Sequence, residues 1–124
     1  MLSLEPMEDL LTNYYLKQPE PIQSCLLALR DIILSVNKNI SKQRKFQIPF
    51  FYYGDKKLAF LWVTRKRIML GFVEDKNIYP KQKDVRLKDK IDAIYVDPTI
   101  DIPIKLIEKK IKVLIKLYDS NRSL

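Results

Sequence analysis

The sequence predicts an α+β fold, an antiparallel sheet of four or more strands packed against N-terminal and C-terminal helices in the order ααββββα. Three observations predict it. The run from 45 to 72, KFQIPFFYYGDKKLAFLWVTRKRIMLGF, holds eight of the thirteen aromatic residues and both glycines, and aromatic and β-branched side chains suit a pleated, half-buried surface. Short polar turns divide that run, which implies antiparallel neighbours. The segments on either side instead repeat apolar residues at helical spacing. A chain of 124 residues needs only one core, so residues 1–124 are expected to form a single domain.

Met7, Leu10, Leu11, Tyr14 and Tyr15 mark one face of a short opening helix. Gln18-Pro19-Glu20-Pro21 interrupts it, and Pro21 suits the first position of a second helix because no amide hydrogen is needed there. Ile22, Cys25, Leu26, Leu29, Ile32, Ile33 and Val36 make the wide apolar stripe of that helix, and residues 37–41 read as its exit. Three strands follow, Phe46 to Tyr53, Leu58 to Val63 and Arg67 to Val73, with turns at Gly54-Asp55 and Thr64-Arg65-Lys66. The middle strand is apolar on both faces, so it is covered on both sides or one face awaits a partner. Pro49 cannot donate to a ladder, which predicts an edge strand or a bulge there. Most of Phe46, Phe50, Phe60, Trp62 and Phe72 are expected to be buried.

Residues 74–90 read as a long loop with partial order, Ile91 to Val96 as a further strand, and Asp97-Pro98 as a turn. Asp101-Ile102-Pro103 opens the final helix. Its inward face would hold Ile107, Ile111, Leu114, Ile115 and Tyr118, starting from Ile104, with Lys105, Lys109, Lys112 and Lys116 mostly outward.

Composition removes several functions. The chain has no histidine, so it lacks the commonest general base, the commonest transition-metal ligand and every Ser-His or Cys-His arrangement. Cys25 is the single cysteine, which excludes an internal disulfide and a multi-thiolate site within one chain, and it is expected to pack as a small apolar residue. Apolar stretches such as 58–63 are far shorter than the roughly 20 residues that span a bilayer. The opening MLSLEPMEDLL carries acids where a signal peptide would be basic; a cytoplasmic protein without membrane contact is expected. The net charge of +8 is uneven. Residues 38–76 carry ten bases against three acids, a balance of +7, while residues 1–20 balance to −3. Such a field draws anions, nucleic acid or acidic partners, and it equally serves solubility.

Three candidate sites emerge. Glu5, Glu8 and Asp9 share one helical face, where hard oxygen ligands could hold iron or another divalent cation; acids in a first turn also simply complement the helix dipole. Arg65, Lys66 and Arg67 sit beside Trp62, with Arg44, Lys45, Lys56 and Lys57 flanking the same strands. Bases stacked on Phe51, Tyr53 or Trp62 with phosphates on these cations is the form a nucleic-acid site would take, whereas core aromatics and solvated turn charges would look the same in sequence. Tyr52 and Tyr53 complete that basic, aromatic group. A small-molecule pocket between helices and sheet, lined by Phe50, Tyr52, Trp62 and Tyr95, is the third candidate, against ordinary packing. Only Asp92, Asp97 or a lysine of lowered pKa could act as a base, at no supporting spacing, so no catalytic residue is expected and the chain is not expected to be an enzyme.

Three phrases carry a family resemblance: YYLKQPEPIQSCLLALRDIIL, FQIPFFYYGDKKLAFLWV and VRLKDKIDAIYVDPTIDIPIKLIEKKI. In this order, the proline-opened helix, the IPFFYY strand before a glycine turn and the late DIP helix start resemble the YdhG-like family of small bacterial domains, over most of residues 10–115. The family is mostly of unknown function, and a frataxin-like iron chaperone has been proposed for one member. The resemblance implies a compact α+β fold, and it makes a frataxin-like iron carrier the leading specific role, with Glu5, Glu8 and Asp9 as its speculative ligands. The alternative is an interaction module whose basic, aromatic sheet face meets an acidic protein or nucleic acid.

Overall fold

The computed structural model describes residues 6–121, with side chains described from residue 10 onward. Five strands, β1 (Ile40–Lys45), β2 (Ile48–Tyr53), β3 (Lys56–Thr64), β4 (Arg67–Glu74) and β5 (Lys90–Val96), form one sheet in sequential order. Every neighbouring pair is antiparallel. Helices α1 (Pro6–Leu16) and α2 (Ile22–Val36) precede the sheet and α3 (Ile104–Ser120) follows it. The protein is therefore α+β, as the sequence predicts.

Side chains alternate across a strand, so the register assigns each residue to a face. Phe51, Ala59, Leu61, Leu70, Phe72 and Val96 fall on one face. They form the main core with Leu26, Leu29 and Ile33 of α2, Ile107, Ile111 and Ile115 of α3, and Tyr15 of α1. All three helices thus lie on one side of the sheet. Cys25 packs in this core as a small apolar residue, and burial raises its thiol pKa. Burial likewise pushes the Tyr15 phenol well above its ordinary value, against the opposing pull of Arg30. Among the described residues no helix covers the opposite face. It holds a second, smaller cluster of Phe50, Phe60 and Val73, flanked by Ile48, Tyr52 and Met69.

Strand β1 departs from the sequence expectation, which ran residues 37–41 as a helix exit. Its sequence, ISKQRK, has no alternation because it is an edge strand of which only Ile40 is buried. With β1 present, β2 is interior, which corrects the edge placement inferred from Pro49. Pro49 is tolerated because it faces Arg44 of β1 while the β2–β3 ladder begins only at Phe50. The bulge in this ladder lies elsewhere, where Leu58 is the extra residue opposite Phe51 and Tyr52.

Phe46 is not a strand residue. It and Gln47 form the β1–β2 turn with φ of 53° and 65°. Arg65 and Lys66 form the β3–β4 turn in the same way, with φ of 49° and 63°. Both are two-residue hairpin turns with positive φ at each central residue, the geometry that normally selects Asn-Gly. Only the β2–β3 turn has a glycine in the left-handed region, Gly54 at φ +61°.

The segment between β4 and β5 is fastened by buried polar groups. Asp75 is 1% exposed, and its carboxylate accepts the backbone N–H groups of Lys57 and Asn77, both at 2.8 Å. The hydroxyl of Tyr118 accepts the Asp75 N–H at 2.9 Å and lies within hydrogen-bond reach of the Lys57 and Val73 carbonyls. Asp89 closes the segment by binding the Lys57 ammonium and the Lys76 N–H. A single 3-10 turn at Lys76–Ile78 is the partial order expected in this loop.

Candidate functional site

The sheet face away from the helices carries the candidate site. Register places Lys45 and Ile48, then Trp62 and Thr64, then Arg67 and Met69, then Tyr95 on this face, at the end that bears the two strained turns. Trp62, Met69 and Tyr95 are direct cross-strand neighbours. Adjacent strands stand about 4.8 Å apart, so Trp62 and Tyr95 are separated by roughly 10 Å across Met69.

Aromatic surface is open here. Phe46 is 76% exposed, Tyr95 55% and Trp62 44%. Beneath them Phe50 and Phe60 stack at 5.3 Å between ring centroids, and Phe46 meets Phe50 edge-on at 6.0 Å. The Phe60 ring lies across Gly71, where a Cβ would come within 2.3 Å of two ring atoms. Glycine at 71 leaves room for this ring to cross β4, and the exposed Phe46 ring is joined to it through Phe50.

Cations accompany the rings. The Arg67 guanidinium carbon is 4.0 Å from the Tyr95 ring centroid, and the Lys45 ammonium is 5.4 Å from that of Phe46, distances at which the ring quadrupole attracts the charge. Arg65 and Lys66 project from the adjoining turn and are exposed. No outward-facing residue on the five strands is Asp or Glu; Asp92 falls on the helix side, opposite Phe72. At the far end of the face Lys57 is engaged by Asp89. Burial opposes the lysine's charge, but the Asp89 carboxylate outweighs it and holds the ammonium pKa above its ordinary value. Burial also opposes the Asp89 charge, yet Lys57 and the Lys76 N–H hold that carboxyl below its usual range.

The predicted site residues divide. Tyr52, Trp62 and Arg67 share the open face, and Arg65 and Lys66 border it. Tyr53 does not belong there: it is buried on the helix side, and its hydroxyl donates to Asp119 at 2.7 Å. Phe51 is likewise fully buried under the helices and offers no stacking surface. Phe50, Tyr52, Trp62 and Tyr95 do lie on one face, but it is the face turned from the helices, so the pocket expected between helices and sheet is corrected to an open surface. Phe46 and Trp62, expected in the core, are exposed because one lies in a turn and the other points to the uncovered side. Glu5 lies outside the described residues, as do the side chains of Glu8 and Asp9. Among the described residues no group of three or more carboxylate or thiol side chains could hold a metal ion.

A cleft of about 650 Å³ opens at the opposite end of the sheet, beside Tyr53, Asn77, Tyr79 and Tyr118. Its polar groups are largely engaged: the Tyr118 hydroxyl in the Asp75 network, and Lys56 with Asp55 at 3.1 Å. No helix among the described residues is long and apolar enough to cross a membrane. No family model, curated protein or solved structure matches the chain.

Proposed function

We propose that this chain is a binding domain, acting without catalysis, whose ligand is an acidic macromolecule held on the open end of the outer sheet face. One observation supports the reading above all others: the helix-free face presents exposed aromatic rings and cations with no outward carboxylate on its strands. Charge of one sign attracts a polyanion, and exposed aromatic surface supplies contact area that a purely solubilising charge does not need. Exposed rings with Arg among them are also what distinguishes an interface centre from ordinary surface. Metal carriage rests on the resemblance and on side chains outside the described residues, and no described feature favours it.

Titrating isotope-labelled protein with inorganic polyphosphate at low salt tests the reading by NMR. Amide shifts should concentrate at Phe46, Trp62, Thr64, Arg67 and Tyr95 and fade as salt screens the charges. Shifts centred on the exposed lysines of α3, or none at all, would overturn it.

A further inference from the structure

We infer that the acidic macromolecule is a single-stranded nucleic acid, with bases stacked on Trp62, Phe46 and the Arg67–Tyr95 pair and phosphates held by Lys45, Arg65 and Lys66. This rests on the outer face being the binding surface. An acidic peptide would find the cations sufficient, but it would leave three large rings with nothing to match them. Unpaired bases match them, because every base has a π-face that stacks on an aromatic ring or a guanidinium plane without regard to sequence. Arg67, already lying 4.0 Å from the Tyr95 centroid, offers its outer plane to a further base.

The arrangement also selects strandedness. In a duplex the base faces are stacked on one another and only edges and phosphates reach a protein surface, so rings standing on a sheet would be idle. The rings here are spread from the β1–β2 turn over β3 to β5, with Lys45, Arg65 and Lys66 at the border, a spacing that suits a chain whose bases turn inward and whose backbone runs along the rim.

Phe46 provides an independent observation. A bulky residue at φ 53° is a conformational outlier, and strain of this kind persists where the surrounding structure imposes it, often at ligand-binding sites. Here it lifts a ring to 76% exposure beside Lys45, where a hairpin of ordinary composition would have Asn-Gly.

Fluorescence anisotropy of a labelled ten-nucleotide oligothymidylate, with its duplex and inorganic polyphosphate as competitors, tests the inference. Trp62→Leu and Phe46→Ala should each weaken oligonucleotide binding roughly tenfold, Trp62→Phe much less, and both losses should exceed the accompanying loss of polyphosphate affinity, since polyphosphate has no bases to stack. Arg65→Ala and Lys66→Ala should weaken both ligands, each reducing the salt slope by about 0.7. If duplex and polyphosphate compete as well as single strands do and Trp62→Leu changes nothing, the inference is overturned while the polyanion-binding face stands. If no polyanion binds at low salt, both fall.

Discussion

Gly71 shows how much a single residue decides on this sheet. Its missing side chain lets the Phe60 ring cross β4, and Phe50 stacks on that ring in turn. Adding a Cβ forces Phe60 to move against a packed neighbour, so Gly71→Ala should cost about 1–3 kcal/mol, the usual scale of overpacking. In a Phe60→Ala background the same change should cost close to nothing, since the obstructing ring is gone. Urea denaturation of the four proteins gives the coupling; equal costs in both backgrounds would show that the ring does not set the requirement. The aromatic content of these strands was legible in the sequence. The pairing of Gly71 with Phe60 was not, because it depends on the β3–β4 register, and the sequence offers no glycine at the Arg65-Lys66 turn to fix that register.

Among the elements, the hairpin turns carry the most information. Positive φ at a non-glycine residue costs on the order of 1–2 kcal/mol, and both Phe46-Gln47 and Arg65-Lys66 adopt it at two successive positions. Replacing Arg65-Lys66 by Asn-Gly should therefore raise stability by about 1 kcal/mol or more while weakening polyanion binding, since two border cations are lost. Thermal unfolding and polyphosphate titration of the same double variant measure the two effects; a variant that loses stability would mean the turn is not strained. These turns explain where sequence reasoning misplaced boundaries. Phe-Gln carries no turn signal, so in sequence Phe46 reads as the first residue of its strand. The polar edge strand before it, ISKQRK, lacks the alternation by which strands are recognised. The helices, by contrast, were legible in position and largely in facing, although Leu10, expected on the apolar face of α1, is exposed. Ile107, Ile111, Ile115 and Tyr118 are buried as their spacing requires, although Ile104 at the start of α3 is exposed.

For the molecule as a whole, the placement of the described helices on one side leaves the other sheet face without a helical cover. That asymmetry was invisible in sequence because β3 is apolar on both faces: Ala59 and Leu61 meet helices, while Phe60 meets Phe50. The alternation of Phe50, Tyr52, Trp62 and Tyr95 put them on a common face, but nothing in it tells which face the helices choose. Long-range charge pairs add a pH dependence. Asp89 has a folded pKa below its unfolded value near 3.9, so its contribution is present above that value and lost as pH falls through the folded pKa. Lys57 has a folded pKa above its unfolded value near 10.4, so its contribution is full below that value and lost as pH rises through the folded one. The pair therefore stabilises fully between about pH 4 and about pH 10. Asp89→Asn should lose about 1–2 kcal/mol at pH 7, and its deficit relative to wild type should shrink as the pH drops below about 4. Denaturant curves at pH 7 and pH 3 check this, and a deficit that stayed constant would assign the effect to something other than the ion pair.

Trp62 is the single tryptophan of the chain, and it stands on the uncovered side of the sheet. At 44% exposure its native emission should already lie toward that of a water-exposed indole, so unfolding should shift the spectrum less than it would for a core tryptophan. What the indole does report is whether its outer surface is occupied, which makes the protein its own label-free sensor for whatever settles there.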